Sequence, residues 1–356
     1  MCLYPKLIRN KKYTENKKNG GQLPPVVDER TLYVPIGCQN CIECRKKKAR
    51  EWQVRLQEDI KETGKWIEKE NGTKKWIEWG KPKFITLTFS NESIKELTKT
   101  ITKENSSSPP EGYNMDNTIA TKAIRLFLER WRKKYKKSLR HWLVTEIGHN
   151  GTENIHMHGI VWTNEPMEEV EKTWQYGYVW KGKKEKGQII NYVNSQTINY
   201  IIKYITKADE KHTTYKSIIL TSPGIGGNYT KKTIGDWKKN IYKPEETNET
   251  YRTTNGNKIA LPIYYRNKIY TEEEREKLWI EKLNKEERYV LGIKIDISEG
   301  DKEYKEAIEE ARRKNIRLGY GTGKTDHNVE LYEKERRKIM QLTRIEAAKK
   351  NANALK

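Results

Sequence analysis

The sequence predicts an α+β fold, and three observations carry that prediction. "RHWLVTEIG" and "NIHMHGIVW" are two strand patterns separated by a polar, Gly-containing turn, which signals a β-hairpin. "KFITLTF" (83–89) is β-branched and aromatic, as a buried strand is. Segments with apolar residues three and four apart lie on both sides of these strands and predict amphipathic helices. Only 34% of the 356 residues are hydrophobic and another 34% are charged. That balance predicts one well-packed domain with solvated, largely helical additions.

Taken in order, residues 1–50 hold all four cysteines. Glu43 to about Lys61 reads as a basic amphipathic helix, with Trp52, Leu56 and Ile60 four apart. After the 83–89 strand, "ENSSSPPEGYNMDN" (104–117) is a loop by composition. Asn117 is placed to cap a helix whose apolar stripe is Ala123, Ile124, Phe127 and Trp131. The hairpin follows, then a short strand at 187–193. Residues 195–207 form a helix packed through Ile198, Ile201, Ile202 and Ile205. "TSPGIGGNY" and "KIALPIYYRNKIY" read as loop and extended segments. From Thr271 the texture becomes charged and helical, opening on a capping box of Thr271 and Glu274, with further helical stretches near 300–316 and 328–350. The chain therefore divides into a Cys-rich segment (1–50), a catalytic domain (51–270) and a charged helical extension (271–356).

The 71 Lys and Arg against 49 Asp and Glu leave a net charge of +22. A surplus of this size points to a polyanionic partner, nucleic acid first. Eleven Trp and 21 Tyr favour single strands, because flat rings beside cations suit stacked bases. No apolar run approaches the roughly 20 residues that cross a bilayer, and the N-terminus lacks the apolar core of a signal peptide. An intracellular protein is expected, with no membrane partner.

His156 and His158 are two apart on a strand and so share a face. Ile155, Met157 and Val161 point the other way. If the hairpin turn centres between 148 and 154, Glu146 lies opposite His156 on the same face, and a one-residue slip would turn it away. His149 is the alternative third ligand. Two imidazoles and a carboxylate leave positions open on a divalent ion, Mg²⁺ or Mn²⁺, for phosphate oxygens.

Tyr200 and Tyr204 are four apart and share a helix face, with Lys203 and Lys207 each three residues after a tyrosine. A tyrosine hydroxyl, with a pKa near ~10, attacks phosphorus only when its proton is removed and the phosphate is polarised. A lysine one turn away favours the phenolate. Tyr-x-x-Lys units facing a His-x-His site make a coherent constellation for DNA nicking through a phosphotyrosine.

The order "FITLTF", "HMHGI", "YIIKYITK" resembles motifs I, II and III of the rolling-circle replication initiators of the HUH endonuclease superfamily. "VPIGCQNCIECRKKKAREW", "TEIGHNGTENIHMHGI", "SPGIGGNY" and "LPIYYRNKIY" further resemble the initiators of single-stranded DNA bacteriophages, the microviruses of gokushovirus type, so that the likeness spans roughly residues 2–270. The resemblance implies a central antiparallel sheet of HUH, RRM and ferredoxin-related type, with helices behind it. It implies an enzyme that nicks supercoiled phage DNA at the origin, holds the 5′ phosphate on tyrosine, leaves a 3′-OH for a host polymerase, and religates a single-stranded circle in the host cytoplasm, alongside a host helicase. His156 and His158 match the metal ligands, Glu146 the extra acidic ligand, and Tyr200 and Tyr204 the motif III tyrosines, with Lys203 and Lys207 as helpers. Thr86 and Thr88 lie in motif I as sheet structure near the site. Either tyrosine alone, or both in turn, fits the pattern. Ile155 stands where related initiators often carry Pro after Arg, which removes a cation and leaves the ligands intact.

Cys38, Cys41 and Cys44 form C-x2-C-x2-C, and Cys2 supplies a fourth thiol. Four thiolates suit a structural Zn²⁺. The spacing also resembles part of an iron–sulfur run, without its trailing Cys-Pro, and a metal-free thiol cluster is the third reading. "GYGTGKT" (319–325) is not a nucleotide-binding loop, because Leu318 stands where that loop needs Gly. The competing functions are a non-catalytic single-strand binding or packaging protein and a plasmid or transposon HUH nickase. The first explains the charge but not the His pair beside a Tyr-Lys helix.

Overall fold

A computed structural model describes residues 2–17, 19–149, 153–209, 211–212, 215–231 and 235–321. The helical stretch expected at 328–350 and most of "GYGTGKT" lie outside these residues. The chain forms two compact units. One comprises residues 49–233 and 252–258, and the other residues 1–48, 234–251 and 259–356. The Cys-rich segment and the segment after 270, read separately from the sequence, fall in the same unit.

The 49–233 unit is built on a five-stranded antiparallel sheet. Its strands are β1 (Pro82–Leu87), β2 (Arg140–Ile147), β3 (Ile155–Trp162), β4 (Val179–Trp180) and β5 (Ile219–Thr221), in the order β5-β2-β3-β1-β4. Five helices accompany them: α1 (Ile42–Asp59), α2 (Asn91–Glu104), α3 (Gly112–Tyr135), α4 (Met167–Trp174) and α5 (Ser195–Thr206). This is the α+β class the sequence predicts.

Strand alternation splits the apolar residues between two faces. Ile85, Leu87, Leu143, Ile147, Ile155, Met157 and Val161 pack against Leu97 and Ile101 of α2, Ile119 to Trp131 of α3, and Met167, Val170 and Trp174 of α4. On the opposite face Trp142, Val144, Ile160 and Trp162 meet Ala49 and Leu56 of α1 and Ile198, Ile201 and Ile205 of α5. The strands β2 and β3 are buried on both faces, which explains their aromatic and β-branched content. Gly159 stands between β2 and β1, where a Cβ would come within 2.8 Å of Leu143 Cα, so no larger residue fits that crossing.

Three local readings change. The helix expected to start at Asn117 begins at Gly112, one turn and more earlier. Asn117 then sits inside it, and its amide ties α3 to Thr145 Oγ1, the Tyr215 hydroxyl and the Lys216 carbonyl. Residues 187–193 contribute Gln188–Ile190, which pairs with Lys183–Glu185 in a hairpin separate from the main sheet. Within "KIALPIYYRNKIY", only Lys258–Ala260 is extended, and Ile263–Ile269 is a helix, α6, which Pro262 precedes and the buried Tyr265 anchors.

In the other unit, α7 (Glu272–Asn284) starts with the Thr271/Glu274 capping box. Its Glu276 is almost fully buried and accepts hydrogen bonds from the Tyr13 hydroxyl (2.6 Å) and Thr31 Oγ1 (3.0 Å), and it pairs with Lys12. Burial pushes this carboxyl up, but the bonds from Lys12, Tyr13 and Thr31 outweigh it and hold the group below the ordinary carboxylate range. A depressed folded value gives stability that is present above the unfolded pKa, about 4.3, and lost as pH falls through the folded one. Glu276→Ala is expected to cost about 2–4 kcal/mol in denaturant unfolding at neutral pH, with the difference from wild type shrinking in acid. Equal stabilities at pH 7 would refute this.

Among the described residues, no helix is long and apolar enough to cross a membrane.

Candidate active site

The β2–β3 register places Glu146 directly opposite His156, while His158 lies between Val144 and Thr86. All three functional side chains leave the sheet on the face that carries α5. Glu146 Oε2 lies 3.1 Å from His156 Nε2 and 3.1 Å from His158 Nε2. Glu146, His156 and His158 present one ligand atom each, all within 4.8 Å of one another.

The far ring nitrogens are also occupied. His158 Nδ1 is 3.0 Å from Thr86 Oγ1, and His156 Nδ1 is 3.4 Å from the Asn154 carbonyl. Such partners fix ring orientation, and a proton on Nδ1 leaves the Nε2 lone pair free to bind a cation. Burial lowers the pKa of His158, against the opposing pull of Glu146, so the ring is neutral at neutral pH. Burial pushes the Glu146 carboxyl up, but hydrogen bonds from His156, His158 and Lys207 outweigh that and keep it well below the usual carboxylate range. Two imidazole nitrogens and an ionised carboxylate, with solvent on the remaining side, fit a divalent cation that keeps open positions.

Helix α5 presents the tyrosines. Asn194 caps it in a capping box with Thr197, and Ile198, Ile201 and Ile205 bury its inner side. Tyr204 lies flat on His158, with ring centroids 4.2 Å apart and planes at 8°. Its hydroxyl donates to the Tyr200 hydroxyl at 2.8 Å. Burial, then the bond with Tyr200, push Tyr204 well above an ordinary tyrosine. Tyr200 is 46% exposed, with its ring edge-on to Phe84 at 6.0 Å and Lys203 Nζ 5.6 Å from its centre. Lys207, the residue that ends α5, places Nζ 2.6 Å from Glu146 Oε1. The eight sequence-derived residues Glu146, His156, His158, Tyr200, Lys203, Tyr204, Lys207 and Thr86 thus come together on one face. Thr88 does not reach the histidines and bonds the Tyr178 carbonyl.

His149, the alternative third ligand, turns elsewhere. Its Nε2 is 3.2 Å from Asp209 Oδ2, and Asp209 also meets His212 Nδ1 at 3.0 Å. The His149, Asp209 and His212 group went unread in the sequence, although Asp209 and His212 are spaced i, i+3 just after the tyrosine helix. Thr86 was read as sheet structure, and its contact with His158 depends on a cross-strand register that spacing along the chain does not reveal.

A basic hairpin stands beside this face. Lys183, Lys184 and Lys186 are exposed on it, and Tyr178 and Tyr192 are 62% and 70% exposed at its base. Asn191 anchors it to β1: its Nδ2 donates to the Phe84 carbonyl at 2.6 Å, and Phe84 N donates back to Oδ1 at 2.9 Å.

Residues 82–209 match the model of a replication-associated protein family, the ORF2 type. The matched segment runs from β1 to just beyond α5 and contains every residue of the Glu146, His156, His158, Tyr200 and Tyr204 group. No curated protein and no solved structure gives a significant match.

Proposed function

We propose that the chain is a rolling-circle replication initiator of a single-stranded DNA bacteriophage, a microvirus-type HUH endonuclease that nicks the origin strand and stays linked to its 5′ end. One observation carries the proposal. Two tyrosine hydroxyls, hydrogen-bonded to each other, stand beside three converging ligand atoms, with the Tyr204 ring stacked on the ligand His158. The replication-associated family match over the same residues supports it. A single-strand binding protein needs the basic hairpin and the exposed rings, but not a buried-edge carboxylate between two imidazoles.

In this reading Glu146, His156 and His158 hold Mg²⁺ or Mn²⁺, which supplies Lewis-acid polarisation of the scissile phosphate. Tyr200 attacks phosphorus, its proton passes to solvent, and the P–O3′ bond breaks to leave a 3′-OH and a 5′-phosphotyrosine. Tyr204 donates a hydrogen bond to the Tyr200 oxygen as charge builds there. Lys203 adds positive charge on the same helix face. In religation the 3′-OH attacks the phosphotyrosine, and the tyrosine oxygen leaves and regains a proton. The host cytoplasm, with host helicase and polymerase extending the 3′ end, is the setting this chemistry requires.

The test is covalent capture. The purified chain is mixed with Mn²⁺ and a randomised single-stranded DNA library, and SDS-resistant adducts are isolated and mapped by mass spectrometry. The expected result is an adduct on Tyr200 or Tyr204 with a free 3′-OH on the released strand. Tight DNA binding without any adduct, from both this library and the circular genome of the parent replicon, would overturn the proposal.

The basic hairpin should contribute binding rather than chemistry. Replacing Lys183, Lys184 and Lys186 together by Ala is expected to weaken single-strand binding and to reduce the slope of log K against log salt by up to about 2, at roughly 0.7 per phosphate contact. The cleavage rate of bound DNA should stay near wild type. An unchanged salt slope would remove the hairpin from the binding path.

A further inference from the structure

A second metal centre, far from the chemistry above in sequence and different in donors, is written into the 1–48 segment. We propose that Cys2, Cys38, Cys41 and Cys44 bind one structural Zn²⁺ per chain, and that this centre is the staple of the small core around it. The inference does not depend on the nicking reaction.

The geometry favours a single ion. Cys2 Sγ lies 3.9 Å from Cys41 Sγ, Cys38 Sγ lies 4.0 Å from Cys44 Sγ, and all four sulfurs fall within 4.8 Å of one another. A zinc ion bound to four sulfurs at about 2.3 Å needs them about 3.8 Å apart along each tetrahedral edge. None of the four is in a disulfide. An iron–sulfur cluster places its cysteine sulfurs on different irons, which would hold them farther apart.

The backbone supports the sulfurs as thiolates. Cys2 Sγ accepts from the amides of Tyr4 (3.3 Å) and Cys38 (3.2 Å), and Cys38 Sγ accepts from Cys41 (3.3 Å) and Asn40 (3.5 Å). The loop that aims those amides takes Gln39 through a left-handed backbone conformation, φ 65°, which a residue with a Cβ adopts only at a cost. Cys44 sits in the first turn of α1, where the helix dipole favours negative charge. Arg45, whose guanidinium is held by the Asn40 carbonyl and side chain, offsets the charge of a four-thiolate centre.

The centre joins distant segments. Leu3, Cys38, Cys41 and Ile42 share one small core with Val290, Ile295, Ile297, Tyr304, Ile308 and Ala311. Helix α8 (Lys302–Arg317) grips both arms of the site: Asn315 Oδ1 accepts from Ile42 N at 2.8 Å, and Arg312 Nε donates to the Leu3 carbonyl at 3.0 Å. A core this small needs a crosslink to order chain ends so far apart in sequence.

The test measures metal directly. The full chain carrying Glu146→Ala, His156→Ala and His158→Ala, which removes the other donor set, is expected to purify with one zinc per chain by elemental analysis. A mercurial thiol reagent should release that zinc as four thiols react, and residues 290–317 should then become cleavable by protease. Replacement by Co²⁺ should give the visible bands of tetrahedral thiolate. Cys44→His, which keeps a ligand, should retain zinc, and Cys44→Ala should not. A folded, metal-free chain from zinc-replete medium, with four thiols that react freely, would overturn the proposal. So would stoichiometric iron in place of zinc.

Discussion

Tyr200→Phe is expected to abolish the covalent protein–DNA adduct, a loss of at least about 10³-fold in strand cleavage, while single-strand affinity and metal affinity stay near wild type. Three features choose Tyr200 over Tyr204 as the first nucleophile. Its ring is 46% exposed, whereas Tyr204 is partly covered by its stacking on His158. The hydrogen bond runs from Tyr204 to Tyr200, so the Tyr200 oxygen is the one offered a donor as negative charge develops on it. Burial and that bond also push the Tyr204 hydroxyl well above its ordinary pKa, which keeps its proton on. Tyr204→Phe should therefore still form the first adduct, about tenfold more slowly for the loss of one hydrogen bond to a charged oxygen. It should fail in the second transfer, which releases a closed circle. Mass mapping of the adduct and an assay for circle release separate the two steps. An adduct that survives Tyr200→Phe and disappears in Tyr204→Phe would reverse the order of attack.

How much of this site is legible in the sequence follows from which distances are short along the chain. The Tyr200 and Tyr204 pair is a helix property, and i, i+4 spacing fixes it wherever α5 packs. The shared face of His156 and His158 is a strand property of period two. The Glu146 pairing needed one more quantity, the hairpin register, and the turn near Gly148 and Asn154 sets it so that residue 146 meets residue 156. Beyond the hairpin, sequence patterns fail for physical reasons. Thr86 reaches His158 through β1–β3 pairing across 72 residues, and no local pattern encodes that register. Asn117 has a good helix-capping side chain, yet tertiary partners at Thr145, Tyr215 and Lys216 claim it and the helix begins earlier. The helix Ile263–Ile269 was hidden by β-branched and aromatic residues of strand-like propensity, which the buried Tyr265 overrides.

Glu146→Gln is the sharpest test of the cation site, because it removes one charge and little else. The carboxylate touches both imidazoles through Oε2 and Lys207 through Oε1, and these bonds keep it ionised despite burial. An amide of the same shape cannot offer a negative oxygen to a divalent ion. Loss of a partner that merely orients a ligand costs about 10–100-fold in metal affinity, so loss of a direct ligand should cost at least the upper end of that range. Mn²⁺ titration by calorimetry should show the fall, and nicking at low Mn²⁺ should fall with it and recover in part at high Mn²⁺. Substituting His158 would be less clean, since the Tyr204 ring rests on it and nucleophile geometry would change together with metal affinity. Glu146 carries no such stacking partner. If Glu146→Gln leaves Mn²⁺ affinity unchanged while nicking collapses, the carboxylate acts through Lys207 and the end of α5, and the cation is held by the imidazoles alone.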